Sequence, residues 1–368
     1  MTTNEPDLRQ VQRSIDLAYK GVGLVSPNPL VGCVIVSSQG EIVGEGTYIY
    51  DDVTHAEIIA LEQAGEKAKS GTAYVSLEPH AHHGKTPPCT DALINAGIKR
   101  VIAPIEDPNP LVSGKGFEKL RESGIEVVTG ILADEAAKLN EKFICWHKKN
   151  RPFIHLKLAM SLDGRISLNK SVSTALSGEA ALKRVHELRH EHDAILVGAN
   201  TALIDNPNLT DRSGKPRRRP LARIILDNSL RLPKKHALAT TANETSTLIF
   251  TSNIDPLDTT PLTDLGVDVI PITGGPRNLS DVVEALYRRE IQSVLVEGGS
   301  EVAAAFVDGR LVDKVTFIIS PTIIGGHDAP VAIGGKGAES LADALKLTNL
   351  TVTRLGDDVE LTGYPSSN

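Results

Sequence analysis

The sequence predicts an α/β protein of two domains. Strand-like and helix-like segments alternate through both halves, and a helix-breaking Asn150-Arg151-Pro152 step interrupts the alternation near its middle. The length, 368 residues, supplies the third reason, since domains run to about 150 residues. The first domain is therefore expected to span 1–149 and the second 150–368. Hydrophobic residues make up 40% of the chain, enough to build a core in each.

Leu8, Val11, Ile15 and Ala18 recur at the helical period, and Gly21 and Gly23 stop that helix. Beyond Pro27 and Pro29 the period changes. Residues 31–36 and 42–43 read as strands joined by a Ser-Ser-Gln-Gly turn, 55–68 as a helix and 73–77 as a strand. Two further helix and strand pairs follow, with strands near 100–104 and 125–129. Residues 133–149 read as one helix with the basic last turn His147-Lys148-Lys149. In the second domain, strands are expected at 153–159, 194–197, 223–226, 247–250, 293–296 and 314–319. Helices are expected at 178–190 and 279–289. Segment 213–220 reads as a loop with Arg217 to Arg219 as solvated charges, and no repeat or low-complexity tract occurs.

Lys plus Arg number 39 and Asp plus Glu 46, a formal charge of −7. That sign argues against a protein that grips nucleic-acid backbones. Cys33, Cys89 and Cys145 are too few and odd in number for a disulfide framework and fit a reducing compartment. Cys33 reads as core, and Cys145 has no partner motif. The N-terminus lacks a basic segment followed by an apolar one, and no run of about 18 apolar residues occurs, so a cytoplasmic protein without a membrane span is expected.

Two segments carry the chemistry of the first domain: Thr54-His55-Ala56-Glu57 and the run from Leu77-Glu78-Pro79-His80 to Pro87-Pro88-Cys89. A catalytic zinc takes three protein ligands, keeps one position open and works beside a carboxylate that moves protons without binding metal. His55, His80 and Cys89 can be the ligands and Glu57 the carboxylate. Alone, His-Ala-Glu reads more readily as a surface helix than as a site, and the histidines near position 82 could be a solvated loop. The stiff Pro-flanked approach to Cys89, separated from His80 by eight residues, favours the metal. In the second domain, Lys157 to Gly164 closes a strand in a polar turn, and Thr201 to Thr210 repeats that shape. Val296-Glu297-Gly298-Gly299-Ser300 puts glycines at a strand-to-helix junction, where backbone N–H groups can hold a phosphate.

Together with Pro27-Asn28-Pro29-Leu30-Val31-Gly32, Gly84-Lys85-Thr86-Pro87-Pro88-Cys89 and Asp107-Pro108-Asn109-Pro110, these segments resemble the bifunctional riboflavin-biosynthesis deaminase/reductases over nearly the whole chain. The resemblance implies a cytidine-deaminase-like three-layer domain followed by a dihydrofolate-reductase-like domain, with Zn2+ and NADPH as cofactors. It implies deamination of a phosphoribosylaminopyrimidine and then reduction of its ribosyl chain. Asn28, His82 and Lys85 would lie at the pyrimidine. Lys157, Ser173, Arg189, Leu209, Arg212 and Glu297 would hold the ribosyl phosphate. Met160, Thr201, Asp205 and Gly299 would face the dinucleotide, flanked by Gly298 and Ser300, with Asp205 as the acid beside the hydride. For Asp205 a plain turn role, and for Arg189 a solvated helix face, are the competing readings of the residues themselves.

The pattern is broken at four places. His80 stands where the family has cysteine, Tyr48 and Asp52 where it has His and Gly, Ala175 where it has a tryptophan against the cofactor, and Leu176-Ser177 where it has Ile-Thr. The competing functions are a reductase with a degenerate deaminase scaffold, a nucleic-acid base deaminase and a non-catalytic ligand sensor. The expected partner is the small-molecule substrate alone, with neither nucleic acid nor membrane, in a homo-oligomer.

Overall fold

Successive residues of a strand face opposite sides of its sheet, and strand β1 (Gly32–Val36) feeds two cores in this way. Cys33 and Ile35 join one apolar cluster, Val34 and Val36 the other. The computed structural model describes residues 5–82 and 87–366, which fall into two units. One runs to Asn150 and includes Pro216–Arg218; the other holds Arg151–Lys215 and the chain from Arg219 onward.

The first unit runs α1 (Glu5–Tyr19), β1, β2 (Ile42–Thr47), α2 (Ala56–Ala64, prolonged by the 3-10 turn Gly65–Ala68), β3 (Thr72–Val75), α3 (Cys89–Asn95), β4 (Arg100–Ile102), α4 (Lys115–Glu122), β5 (Glu126–Val128), α5 (Ala133–Leu139) and α6 (Glu141–Lys149). Its sheet has the order β2-β1-β3-β4-β5, with β1 antiparallel to both neighbours and β3, β4 and β5 parallel. Helices α2, α3 and α4 cover the Cys33, Ile35, Ala73 and Val101 face, while α1 and α5 cover Val34, Val36, Tyr74 and Ile102. Three layers result.

Helix α2 lies unusually close to the sheet. A Cβ on Gly44 would sit 1.9 Å from the Ala60 carbonyl oxygen, and one on Gly46 would sit 2.0 Å from that of Ala56. Only glycine on β2 against the Ala56, Ala60 and Ala64 stripe permits this approach.

Two expectations fail in this unit. Leu8 is 42% exposed, and the neighbouring Asp7 is buried instead, paired with Arg100 and accepting from the Tyr74 hydroxyl. The single helix over 133–149 is two helices. Asn140 leaves helical geometry between them because its side chain spans a loop: Oδ1 accepts from Leu30 N at 2.8 Å, and Nδ2 donates to Leu30 O at 2.9 Å.

The second unit runs β6 (Phe153–Ser161), α7 (Glu179–His190), β7 (Ala194–Gly198), α8 (Ala199–Asp205), β8 (Ala222–Leu226), α9 (Ala237–Thr240), β9 (Thr247–Thr251), α10 (Pro256–Thr263), β10 (Asp268–Pro271), α11 (Leu279–Arg288), β11 (Ser293–Val296), α12 (Ser300–Asp308), β12 (Lys314–Ser320), β13 (Leu347–Leu355) and β14 (Asp358–Pro365). One nine-stranded sheet has the order β10-β9-β8-β7-β11-β6-β12-β14-β13, parallel as far as β12 and antiparallel beyond. Leu196, Ile224 and Phe250 face one cluster; Ile195, Val197, Ile225 and Ile249 face the other. The parallel strands bring their C-terminal ends to one edge, where ligands of open α/β sheets bind.

The sequence reading misses α8, α9, α10, β10 and the β13–β14 hairpin. Strand β13 is exposed along nearly all its length, so it shows no alternation of apolar and polar residues to read.

Candidate functional site

In the first unit the site begins at the N-terminus of α2. His55 is the N-cap in extended geometry, and Glu57 lies in the first turn, 3% exposed. The end of β3 leads through Leu77, Glu78 and Pro79 to His80, and Cys89 opens α3, fully buried. One donor atom from each of His55, His80 and Cys89 lies within 4.8 Å of the others. The two imidazoles pack with centroids 4.5 Å apart, and the His80 carbonyl accepts from Thr90 N at 3.3 Å. Donors on a tetrahedral zinc stand roughly 3.5 Å apart, so a small closure forms the shell.

Two further observations fit that ion. Glu57 Oε2 is buried with no hydrogen-bond partner, a cost that burial without purpose would not sustain. In the metal-free chain, burial and then the Glu57 carboxylate push the Cys89 thiol well above its usual range; a dication reverses that sign and makes it a thiolate.

Around these donors, Tyr48 packs 5.3 Å from His55, and Asn28 Nδ2 donates to its hydroxyl at 2.7 Å. His82 is exposed with its ring edge-on to His80 at 5.2 Å. Lys85 lies outside the described residues. Cys33 is core, as expected, though close enough to Glu57 that the carboxylate adds to the rise burial gives its thiol.

Sequence reasoning missed three groups here. Asn140 clamps the Asn28 loop. Glu78 accepts backbone N–H bonds from Asp107 (3.0 Å), Gly114 (2.9 Å) and Gly116 (2.8 Å), pinning the Asp-Pro-Asn-Pro loop beside the ligand segment. Arg218, read as a solvated charge, is 16% exposed and bonded to the carbonyl of Ser26. Only Asn140 carried a signal, a poor helix former in mid-helix.

In the second unit three charged side chains converge from three elements. Arg189 of α7 forks onto Glu297 with Nε to Oε1 at 2.8 Å and Nη2 to Oε2 at 2.9 Å, and Lys157 Nζ of β6 lies 3.8 Å from Oε2. Arg189 also donates to Thr210 O at 3.1 Å. It is therefore a buried ion-pair partner rather than a solvated helix face. Burial alone would raise the Glu297 carboxyl, but Lys157 and Arg189 outweigh it and hold the group at about 2. Desolvation lowers the Lys157 ammonium.

Leu209 is buried at φ +47°. Arg212 is exposed, its Nε donating to Thr210 Oγ1, and Ser173 and Ala175 are exposed in the loop after β6.

Met160 is the last residue but one of β6, Thr201 lies in the first turn of α8 after β7, and Gly298, Gly299 and Ser300 join β11 to α12. These strands are neighbours in the sheet, so the five residues share its C-terminal edge. Gly298 has φ +96°, which an L side chain rarely adopts. The Gly pair bares the N-terminus of α12, which suits a dinucleotide phosphate. Asp205 ends α8 and is exposed.

The family model for the cytidine and deoxycytidylate deaminase zinc-binding region matches residues 5–104, and that for the RibD C-terminal domain matches 152–361. The riboflavin biosynthesis protein RibD of Actinobacillus pleuropneumoniae is 40% identical over 357 residues, covering 96% of this chain and 94% of that one. That of Escherichia coli (strain K12) is 38% identical over 359 residues, covering 94% and 96%. The solved structure of Acinetobacter baumannii RibD superposes with a TM-score of 0.87 at 35% identity, covering 99% of each chain. A Thermotoga maritima structure, described as a diaminohydroxyphosphoribosylaminopyrimidine deaminase/5-amino-6-(5-phosphoribosylamino)uracil reductase, gives 0.86 at 36% identity, covering 98% and 99%. With a zinc-binding deaminase region in its first half and a reductase domain in its second, the chain belongs to the RibD family of bifunctional riboflavin-biosynthesis enzymes.

Proposed function

We propose that the first unit removes the 2-amino group of 2,5-diamino-6-(5-phosphoribosylamino)pyrimidin-4(3H)-one by hydrolysis, and that the second reduces the ribosyl chain of the product to ribityl. Zinc, held by His55, His80 and Cys89, would acidify the attacking water, and NADPH would supply hydride. The remaining steps belong to the chain. Glu57 takes one proton from the attacking water through its unpartnered Oε2 and passes it to the ring nitrogen, then carries the second from the new hydroxyl to the departing amine as the C–N bond breaks. The water oxygen becomes the new carbonyl as ammonia leaves. Asn28, oriented by Tyr48, holds the pyrimidine, with His82 and Lys85 beside it.

In the second unit Lys157, Arg189 and Glu297, with Ser173, Leu209 and Arg212, receive the ribosyl phosphate. Met160, Ala175, Thr201, Gly298, Gly299 and Ser300 receive the dinucleotide. Asp205 supplies the proton that accompanies hydride transfer to the sugar.

The observation that carries the deaminase half is the buried, unpartnered oxygen of Glu57 beside three converging donors. Its test is Glu57→Gln, expected to keep zinc and lose about 10²–10⁴-fold of ammonia release. Zinc lost together with activity would make Glu57 a ligand. Wild type lacking both zinc and ammonia release would leave a reductase with a deaminase scaffold. In parallel, Asp205→Asn is expected to abolish NADPH oxidation and spare deamination; a folded variant losing both would refute the assignment of the two reactions to 1–149 and 150–368.

The proposal extends to a homo-oligomer, supported by β13, a nine-residue edge strand with Leu350 and Val352 exposed and hydrogen-bonded on one side alone. Sedimentation velocity checks it. No helix of the described residues is long and apolar enough to cross a membrane, and no disulfide joins the cysteines. Both fit the cytoplasm, which is part of this proposal.

A further inference from the structure

The segment Pro216–Arg218 lies 66 residues or more beyond Asn150 in sequence, yet it is part of the first unit. Its anchor is Arg218. The Arg218 backbone N–H donates to Gly23 O at 2.8 Å, and Nη1 donates to Ser26 O at 2.7 Å. Nε donates to Asp51 Oδ1 at 3.3 Å, and the guanidinium carbon stands 3.4 Å over the centre of the Tyr50 ring. One planar cation therefore ties the 23–28 loop to the 48–51 segment, with bonds in its plane and the ring against its face.

The two tied segments meet at Asn28 and Tyr48, and Tyr48 leads to His55. Ser26 is two residues before Asn28, whose backbone N–H donates to Val25 O at 2.8 Å and whose Nδ2 reaches Tyr48. Tyr48 packs on His55. Tyr50 N donates back to Leu24 O at 3.3 Å, closing the wall. Asn28 and Tyr48 thus meet at a distance that the Arg218 fork helps to fix. A lysine, with one point charge and no plane, could not make the two in-plane bonds and the stack together.

We propose that Arg218 is a positioning residue for deamination, holding Asn28 and Tyr48 at the spacing the pyrimidine requires, so that the deaminase is completed by sequence from beyond residue 150. This rests on the reading of Asn28 as the pyrimidine contact.

The test uses full-length Arg218→Ala, Arg218→Lys and Asn28→Ala, each assayed for zinc content, for kcat and KM of ammonia release, and for NADPH oxidation with the deaminated substrate supplied. In Arg218→Ala the KM for deamination is expected to rise about tenfold, the loss that about 1.4 kcal/mol of misplaced contact produces, with kcat changing less. Zinc should stay stoichiometric and NADPH oxidation unchanged. Arg218→Lys should recover only part of the KM, and millimolar guanidinium should restore Arg218→Ala, which a merely structural role would not allow. Unchanged KM in Arg218→Ala while Asn28→Ala raises it would overturn the proposal. A raised KM in Arg218→Ala with none in Asn28→Ala would support Arg218 and refute the pyrimidine contact of Asn28. If Arg218→Ala does not fold, Tyr50→Leu, which removes the ring beneath the guanidinium, decides: a KM equal to wild type overturns the proposal and a higher one supports it.

Discussion

Two buried glutamates, one in each unit, are held in opposite ways. Glu57 keeps a carboxylate oxygen without a partner, 3% exposed, beside the converging donors His55, His80 and Cys89. Glu297 is forked by Arg189 and faced by Lys157, so its charge is compensated before any ligand arrives. A group that acts on a proton must be left short of bonds, because a saturated carboxylate has no reason to accept one. A group that orients substrate gains from saturation, because each bond removes a degree of freedom. The two halves of the enzyme thus divide stability and reactivity differently: the first unit stores an unfinished bond and the second a finished network.

The comparison can be broken by stability measurements. The largest effect is expected for Glu297→Gln, which strands Arg189 and Lys157 as buried cations. Removing one partner of such a network costs about 3–5 kcal/mol, and scanning calorimetry should show it in the transition of the second unit. An unchanged transition would mean that the network is worth no more than surface ion pairs.

Next in size is Asp107, a carboxyl raised to about 6 by burial, with Glu78 adding to the rise and the Asn109 N–H opposing it. A raised acid stabilises the fold in its protonated form, an advantage present below its unfolded value and lost as pH climbs through about 6. At pH 7 the wild type therefore carries a penalty that Asp107→Asn removes, worth about 3 kcal/mol at most. Urea unfolding followed at Trp146, the one tryptophan, should show the variant gaining on wild type between pH 4 and pH 7. A difference that stays constant across that range would contradict the assignment.

The smallest stability effect belongs to Glu57→Gln. Exchanging one incompletely bonded buried group for another should move the same unfolding curve by about 1 kcal/mol or less, although the rate of ammonia release collapses. A loss as large as that of Glu297→Gln would erase the distinction between the two sites.

What could be read from sequence was local. His55, Glu57, His80 and Cys89 declare themselves by side-chain type and spacing, and one donor atom from each of His55, His80 and Cys89 lies within 4.8 Å of the others. The same holds for Gly298 and Gly299, whose junction of strand and helix is written in five residues. The rest depends on partners far along the chain. Asn140 splits a helix to reach Leu30, 110 residues away, and no propensity scale weighs that bond. Arg218 sits among arginines in a polar loop, and nothing near it names Ser26 or Tyr50. Arg189 was left open between substrate contact and solvent because its partner, Glu297, lies 108 residues on. Strand β13 escaped because it buries neither face, so the periodicity that reveals strands is missing.

Gly44 and Gly46 set a machining tolerance for the metal centre. Helix α2 rests on β2 with carbonyl oxygens about 2 Å from where side chains would begin, so the helix cannot slide inward and any added atom drives it out. His55 caps that helix, and a zinc shell accepts ligand errors of only about 0.2 Å. An error introduced on a strand with no chemistry of its own would therefore surface as a misfit at the ion. The two plainest residues of the unit act as the gauge blocks that set the height of its histidine.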